Sequence, residues 1–162
     1  MKRAGFCLIV GFTLLATSAS ASPVDQIRVK KSERKLELLS GAKVVRTYSI
    51  SLGGTPVGPK RCQGDSKTPE GVYKISGRNQ GSAYHKSLRI SYPSAADRKI
   101  ASVLKCPPGG DIMIHGLPNG KGWIGKFHRL SDWTDGCIAV TNSEIEEIWR
   151  LVPDKTPIRI DP

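Results

Sequence analysis

Aromatic residues are scarce in this chain and make up 6% of its 162 residues. None is interleaved with the basic cluster of Lys30, Lys31, Arg34 and Lys35, and no nucleic-acid-binding motif follows that cluster. Nucleic-acid-binding surfaces are recognised by basic patches that occur together with such motifs. We therefore expect no nucleic acid among the partners of this protein.

Long hydrophobic runs, internal repeats and low-complexity tracts are missing after residue 21. At the amino terminus, two basic residues precede an apolar run over residues 4–16, and small residues follow it as far as Ala21. This pattern is typical of a secretory signal peptide over residues 1–21, because a membrane anchor needs about 20 apolar residues. We expect residues 22–162 to form one soluble, exported domain in the periplasm or cell envelope, without a stable membrane span.

Acidic residues are outnumbered by basic ones, 14 against 25, so the formal net charge is +11. Removal of residues 1–21 takes away two basic residues and leaves +9, which is 23 minus 14. An excess of this size favours anionic partners such as a membrane surface or an acidic cell-wall polymer. Charge alone therefore allows a non-catalytic module that binds the cell wall.

Cysteines are few, and three lie after the predicted signal peptide: Cys62, Cys106 and Cys137. No Cys-x-x-Cys or His-x-x-x-His pair occurs, so a zinc site built from these cysteines and His115 is disfavoured and we expect no metal. Cys62 and Cys106 both lie in loops rich in Gly and Pro, and we predict that they form a disulfide in an oxidising compartment. Cys137 is then left as a free thiol.

Alternating apolar and polar residues predict a mainly β fold. We expect two packed mixed sheets with one or two short helices outside, since strands and helices do not alternate regularly. Long loops are expected at 53–69 and 117–131, and helices at 95–104 and 142–152. The predicted strands are 26–30, 35–38, 43–52, 72–75, 87–92, 111–115, 138–140 and 157–160.

The most informative stretch is Thr134-Asp135-Gly136-Cys137-Ile138, in which a glycine and a cysteine precede a short apolar strand. We predict that Cys137 is a nucleophile for acyl transfer and that His115, at the end of another apolar strand, is its base. The backbone amides of Gly136 and Cys137 would bind the oxyanion. The alternatives are a buried structural thiol and a histidine whose hydrogen bonds are satisfied in the core.

Two motifs resemble the signature of the L,D-transpeptidase (YkuD-type) catalytic domain: Ile114-His115-Gly116 and Thr134-Asp135-Gly136-Cys137-Ile138. The resemblance covers Gln26 to Ile160. It implies a β-sandwich-like fold and a thioester mechanism on peptidoglycan stem peptides that contain meso-diaminopimelate, without a cofactor. It assigns the nucleophile to Cys137, the base to His115, and the carbonyl that orients the histidine to Gly116.

The chain departs from the family pattern at Asp135, where histidine is usual, and at Ala139, where an arginine that contacts the acyl donor is usual. Arg129 is a candidate replacement, and Trp133 and Tyr84 are further candidates for substrate contacts. The sequence around Cys137 is more similar to the branch of the family that includes the murein hydrolase releasing Braun's lipoprotein. Peptidoglycan is therefore the expected partner, and a lipoprotein linked to it is a second. The acyl acceptor stays open between water, a stem peptide, an amino acid and a protein lysine.

Overall fold

The computed structural model describes residues 23–162. The predicted signal peptide, residues 1–21, lies outside the described residues, and no helix within the described part is long and apolar enough to cross a membrane. The described residues fold into eight strands, two α-helices and one 3₁₀ segment (Gly122–Leu130). The strands are β1 (Gln26–Lys30), β2 (Lys35–Ser40), β3 (Lys43–Ser49), β4 (Gly71–Asn79), β5 (Ser87–Ile90), β6 (Met113–His115), β7 (Ile138–Ala139) and β8 (Pro157–Asp161). The helices are α1 (Ala95–Val103) and α2 (Asn142–Leu151).

The strands form a mixed sheet in the order β3-β2-β1-β8-β4-β5-β6-β7. β1 with β8 and β6 with β7 are parallel pairs, and the other neighbours are antiparallel. The mainly β, mixed fold is therefore confirmed. The two predicted sheets are joined into one through β4. The first residues of β4 pair with β8, and its later residues pair with β5, with an irregularity in the pairing between Ile75 and Gly77.

One hydrophobic core lies between the two halves of the sheet, and both halves contribute fully buried side chains to it. In β1 and β8 buried residues alternate with more exposed ones, because successive side chains of a strand point to opposite faces. The members with no exposure include Ile27, Leu36, Leu38, Ile75, Leu88, Ile114, Ile138, Ile145 and Ile158. Since Ile114 and Ile138 belong to the core, the strands that carry them are fixed firmly beneath the site.

Helix α2 begins with a capping box in which the Thr141 hydroxyl accepts from the backbone N–H of Glu144 and the Glu144 carboxylate accepts from that of Thr141. Ile145 and Ile148 are fully buried on one face of the helix, as the spacing predicted. Such a cap satisfies N–H groups that have no partner within the helix. The first residue of the helix, Asn142, is thereby held beside the end of β6.

The loop over residues 53–69 is ordered by its own contacts. A disulfide joins Cys62 to Cys106, with Cα atoms 5.7 Å apart. The Asp65 carboxylate accepts from the Lys60 ammonium and from the backbone N–H groups of Arg61, Cys62 and Lys67. Partial burial alone would raise the pKa of Asp65, but these donors lower it to about 2. The disulfide and these hydrogen bonds therefore hold the loop together without regular secondary structure.

The second loop, predicted over 117–131, is irregular only in part. Gly122–Leu130 forms short 3₁₀ turns, and Gly125 interrupts them with φ 51° and ψ −132°. The prediction of an irregular loop is wrong for these nine residues. Two short turns separated by a glycine do not produce the hydrophobic period of a continuous helix, so the sequence pattern did not reveal them.

Candidate active site

Adjacent parallel strands bring the two predicted catalytic residues to one cleft. In the register of β6 and β7, Ile114 lies opposite Ile138 and His115 opposite Ala139. Cys137 directly precedes β7, and both His115 and Cys137 line a cleft of about 320 Å³. The other residues that line it are Asn79, Ser82, Ala83, Tyr84, Asp111, Met113, Trp133, Thr134 and Asp135.

The His115 side chain is held in one tautomer by the backbone that follows it. Its Nδ1 lies 2.6 Å from the carbonyl oxygen of Gly116. A carbonyl can only accept, so Nδ1 carries the hydrogen and Nε2 carries the lone pair. Burial lowers the pKa of His115, which is 4% exposed, although the hydrogen bond to Gly116 opposes the shift. The imidazole is therefore neutral at pH 7 and can accept a proton.

The Gly116 peptide is itself clamped on two sides. The N–H of Gly116 donates to the carbonyl of Tyr84 at 3.1 Å. The N–H of Leu117 donates to Oδ1 of Asn142 at 2.8 Å. A Cβ at position 116 would lie 2.8 Å from the same Asn142 oxygen, so only glycine fits there without a shift. Asn142 thus positions the carbonyl that orients His115, a contact between residues 25 positions apart that no local sequence signal indicates.

Cys137 is the free cysteine of the described residues and is half-buried. Its Sγ lies 3.4 Å from the carbonyl oxygen of Asp111. Burial raises the pKa of the Cys137 thiol; a backbone hydrogen bond from Met113 opposes this shift, while the carboxylates of Asp111 and Asp135 add to it. The thiol is therefore protonated at neutral pH, and its activation requires a base. The neutral imidazole of His115 is the base that the same cleft offers.

The turn before Cys137 is closed by Thr134. The Thr134 hydroxyl accepts from the N–H of Gly136 at 3.1 Å and donates to the carbonyl of Cys137 at 2.8 Å. Gly136 has φ 128°, a conformation that residues with a side chain rarely adopt. Since its N–H is bound to Thr134 in this structure, the role of Gly136 and Cys137 as oxyanion donors stays a prediction.

The predicted substrate contacts lie in different places. Tyr84 and Trp133 form the cleft wall against His115, with ring centroids 4.6 and 5.8 Å from the imidazole. Arg129 donates to both carboxylate oxygens of Glu144 in α2, at 2.6 and 2.7 Å. It is not among the residues that line the cleft. The role of Arg129 in substrate binding therefore stays a prediction, and an ion pair with Glu144 would have to open first.

The two departures from the family pattern have different surroundings. Asp135 is exposed and lines both the cleft of Cys137 and a neighbouring cleft of about 720 Å³, formed largely by residues 60–66 and 107–111. Ala139 is fully buried and exchanges two backbone hydrogen bonds with Ser51. Asp135 thus adds a carboxylate beside the nucleophile, whereas Ala139 contributes only packing.

A buried imidazole and a thiol on adjacent strands of a mainly β domain define a site suited to nucleophilic acyl transfer. The profile of the L,D-transpeptidase catalytic domain, YkuD, matches residues 25–160. The chain belongs to this family of enzyme domains, and the resemblance carried by the His115 and Cys137 motifs is confirmed.

Individual relatives agree with the family match. "Putative L,D-transpeptidase YafK" of Escherichia coli (strain K12) is 32% identical over 158 residues, which cover 86% of this chain and 56% of YafK. The structure of the helical cell shape determining protein Pgp2 from Campylobacter jejuni is similar with a TM-score of 0.62 and 26% identity, over 85% of this chain and 47% of Pgp2. Bd1075 from Bdellovibrio bacteriovorus gives a TM-score of 0.59 and 26% identity, over 90% of this chain and 49% of its own. The chain spans about half the length of these relatives.

Proposed function

We propose that this protein is an exported, cysteine-dependent L,D-transpeptidase or L,D-peptidase that acts on peptidoglycan stem peptides containing meso-diaminopimelate. The observation that carries the proposal is the fixed tautomer of His115, whose Nδ1 hydrogen is bound by Gly116 in the cleft that also holds Cys137. This tautomer leaves the lone pair on Nε2, as a base for the Cys137 thiol requires. The family match supports peptidoglycan as the substrate.

The proposed reaction has two acyl-transfer steps. Nε2 of His115 takes the proton of the Cys137 thiol, and Sγ attacks the carbonyl carbon of the peptide bond. The C–N bond then breaks, the leaving amine takes the proton from the imidazolium, and a thioester remains on Cys137. An amine or water attacks the thioester carbon, loses its proton to His115, and releases the thiolate, which recovers that proton. A backbone N–H beside Cys137 would stabilise the oxyanion of each tetrahedral intermediate.

Export to the periplasm or cell envelope is part of the proposal. The pattern of residues 1–21 supports a cleaved signal peptide. The disulfide between Cys62 and Cys106 supports an oxidising compartment, because such bonds are rare in the cytosol. Pgp2 is described as a helical cell shape determining protein, and we extend a role in cell-wall biogenesis and cell shape to this chain by similarity.

The test is the reaction of purified peptidoglycan and its soluble muropeptides with the wild-type protein, Cys137→Ala and His115→Gln, with products identified by mass spectrometry. His85→Gln is the matched control, because His85 is a partly exposed histidine whose ring pairs with Glu146 outside the cleft. We expect new products with wild type and His85→Gln, and none with the other two variants. Identical product profiles for wild type and Cys137→Ala would exclude catalysis and favour a non-catalytic module that binds the cell wall.

The same experiment in ¹⁸O-labelled water identifies the acyl acceptor. Hydrolysis adds one labelled oxygen to the released carboxyl group, whereas transfer to an amine produces an unlabelled cross-linked product. Adding a peptidoglycan-linked lipoprotein as substrate extends the test to the hydrolase branch. Release of the lipoprotein with a labelled carboxyl group on the remaining stem would assign that reaction to this chain.

A further inference from the structure

The 3₁₀ segment exposes three large apolar side chains that the catalytic cleft does not use. Trp123 is 83% exposed, Phe127 75% and Leu130 84%. Phe127 and Leu130 are three residues apart, and side chains with that spacing lie on the same side of a 3₁₀ helix. These residues are absent from the hydrophobic core and from the lining of the Cys137 cleft. We call Trp123, Phe127 and Leu130 the apolar patch.

The charged residues of the segment that carries the apolar patch are all basic. Residues 112–131 contain no Asp or Glu. Lys121 and Lys126 flank the patch residues in sequence and are exposed. Arg129, the other cation of the segment, is bound to Glu144. We call these two exposed lysines, which neighbour the patch residues in sequence, the basic rim; the overall charge of the chain is also strongly positive.

We propose that the apolar patch and its two lysines form a docking surface for a bilayer that contains anionic phospholipid. Tryptophan is enriched at the membrane–water interface, and lysine binds anionic headgroups there. An aliphatic side chain such as Leu130 gains by entering the acyl boundary. Charge complementarity thus favours a lipid surface as the occupant of this patch.

Other occupants fit the segment less well. A second copy docked through the same patch about a two-fold axis would bring the basic rims of the two protomers together. A glycan strand would offer its sugars to the aromatic rings and its carboxylates to the lysines, but it would leave Leu130 exposed to water. An anionic bilayer can bury the three apolar side chains and pair its headgroups with the two lysines at the same time.

The test measures sedimentation of the protein with vesicles of equal parts phosphatidylglycerol and phosphatidylethanolamine, and with vesicles of phosphatidylcholine alone. The patch variant is Trp123→Ser, Phe127→Ser, Leu130→Ser; the rim variant is Lys121→Gln, Lys126→Gln. Val57→Ser with Val103→Ser is the matched control, because these valines are 82% and 76% exposed outside the patch. Circular dichroism and thermal unfolding confirm that each variant is folded.

We expect binding of wild type and the valine control to the anionic vesicles, and weaker binding to phosphatidylcholine. The patch variant should lose at least about tenfold in partitioning, since three large apolar side chains no longer enter the interface. The rim variant should lose roughly fivefold or more, with a lower sensitivity to salt.

Absence of wild-type binding to anionic vesicles would overturn the proposal, as would equal binding by wild type and the patch variant. The second result would also follow if residues 4–16 were the membrane-binding element. Two further outcomes would assign the patch to another occupant: dimerisation in analytical ultracentrifugation that the patch variant abolishes, or loss of binding to purified peptidoglycan in the patch variant alone. Cleavage of soluble muropeptides should be unchanged in the patch variant, so failure of docking and failure of the proposed activity are distinguishable.

Discussion

The substitution Gly136→Ala tests how closely the turn before Cys137 is packed. A Cβ at position 136 would lie 2.5 Å from the carbonyl oxygen of Lys67 and 3.2 Å from Cδ1 of Ile112. The first distance is 0.9 Å shorter than 3.4 Å, where ordinary contact begins. The Lys67 carbonyl belongs to the loop held by Asp65 and the disulfide, so we expect the turn that carries Cys137 to move instead.

Two contributions set the expected loss of stability. The left-handed backbone at φ 128° costs an alanine about 1–3 kcal/mol, and the close contact costs about 1–3 kcal/mol more. Gly41→Ala is the matched control, because Gly41 has φ 58° and a Cβ there would meet nothing within 4 Å. That variant retains the backbone cost of about 1–2 kcal/mol without the contact. A displacement of Cys137 by about 1 Å should also lower the rate of the proposed acyl transfer about 100-fold.

Urea unfolding followed by tryptophan fluorescence measures the free energy of unfolding of both variants. The rate of alkylation of Cys137 by iodoacetamide reports on the position and surroundings of the thiol without requiring the proposed substrate. We expect Gly136→Ala to be less stable than Gly41→Ala by at least about 1 kcal/mol and to have an altered alkylation rate. If the two variants agree within about 0.5 kcal/mol and alkylate like wild type, the close approach does not constrain the turn.

Three further predictions concern other contacts of the site. Asn142→Leu should lower kcat/KM, because the N–H of Leu117 loses its acceptor. Asn142→Asp keeps an oxygen acceptor and should recover most of kcat/KM, but its carboxylate should move the acid limb to higher pH. A pH–rate profile distinguishes these results. Because burial lowers the pKa of His115 below 6.5, the unfolded state binds more protons near that value. The contribution of His115 to the free energy of unfolding is therefore complete above pH 6.5 and is lost as the pH falls through the pKa of the folded state. Activity should be lost over the same range, because the protonated imidazole is no longer a base. The urea concentration at the unfolding midpoint should accordingly decrease as the pH is lowered. Replacement of both Cys62 and Cys106 by alanine should lower the free energy of unfolding by about 4 kcal/mol, because the disulfide closes a loop of 44 residues. Urea unfolding measures this loss, and adding a reductant to the wild-type protein should produce the same loss.

The sequence predicts where the strands lie, because an alternating pattern or a short apolar run depends only on a strand's own residues. It also predicts that His115 and Cys137 act in one site, because the two motifs that contain them resemble the signature of one enzyme family. What it does not predict are contacts between distant segments. Asp132 accepts from the N–H of Leu52, 80 positions away, and Asn142 accepts from that of Leu117. The residue types allow such contacts, but only the folded topology selects the partners.

The continuity of the sheet through β4 is a second property that local patterns do not contain. The sequence predicts a strand only over 72–75, whereas β4 extends over Gly71–Asn79 because its later residues gain β5 as a second neighbour. The exchange of partners at Ile75 depends on where β8 and β5 end, which is decided by the connections at both sides. The partner of Arg129 is likewise not predictable from the sequence. Its charge would allow it to bind a substrate carboxylate, but the fold places it against Glu144.

The position of β8 has a consequence for how the chain reaches its native state. β8 follows the other described strands in sequence, yet it lies between β1 and β4, and Ile158 is paired with Ile27 on one side and Tyr73 on the other. Until β8 pairs with them, β1 and β4 each have an unpaired edge, and the two parts of the sheet are separate. Contacts over such a long separation form slowly. The insertion of β8 should therefore be a late step in folding, and until it happens the open edges of β1 and β4 are able to pair with another chain.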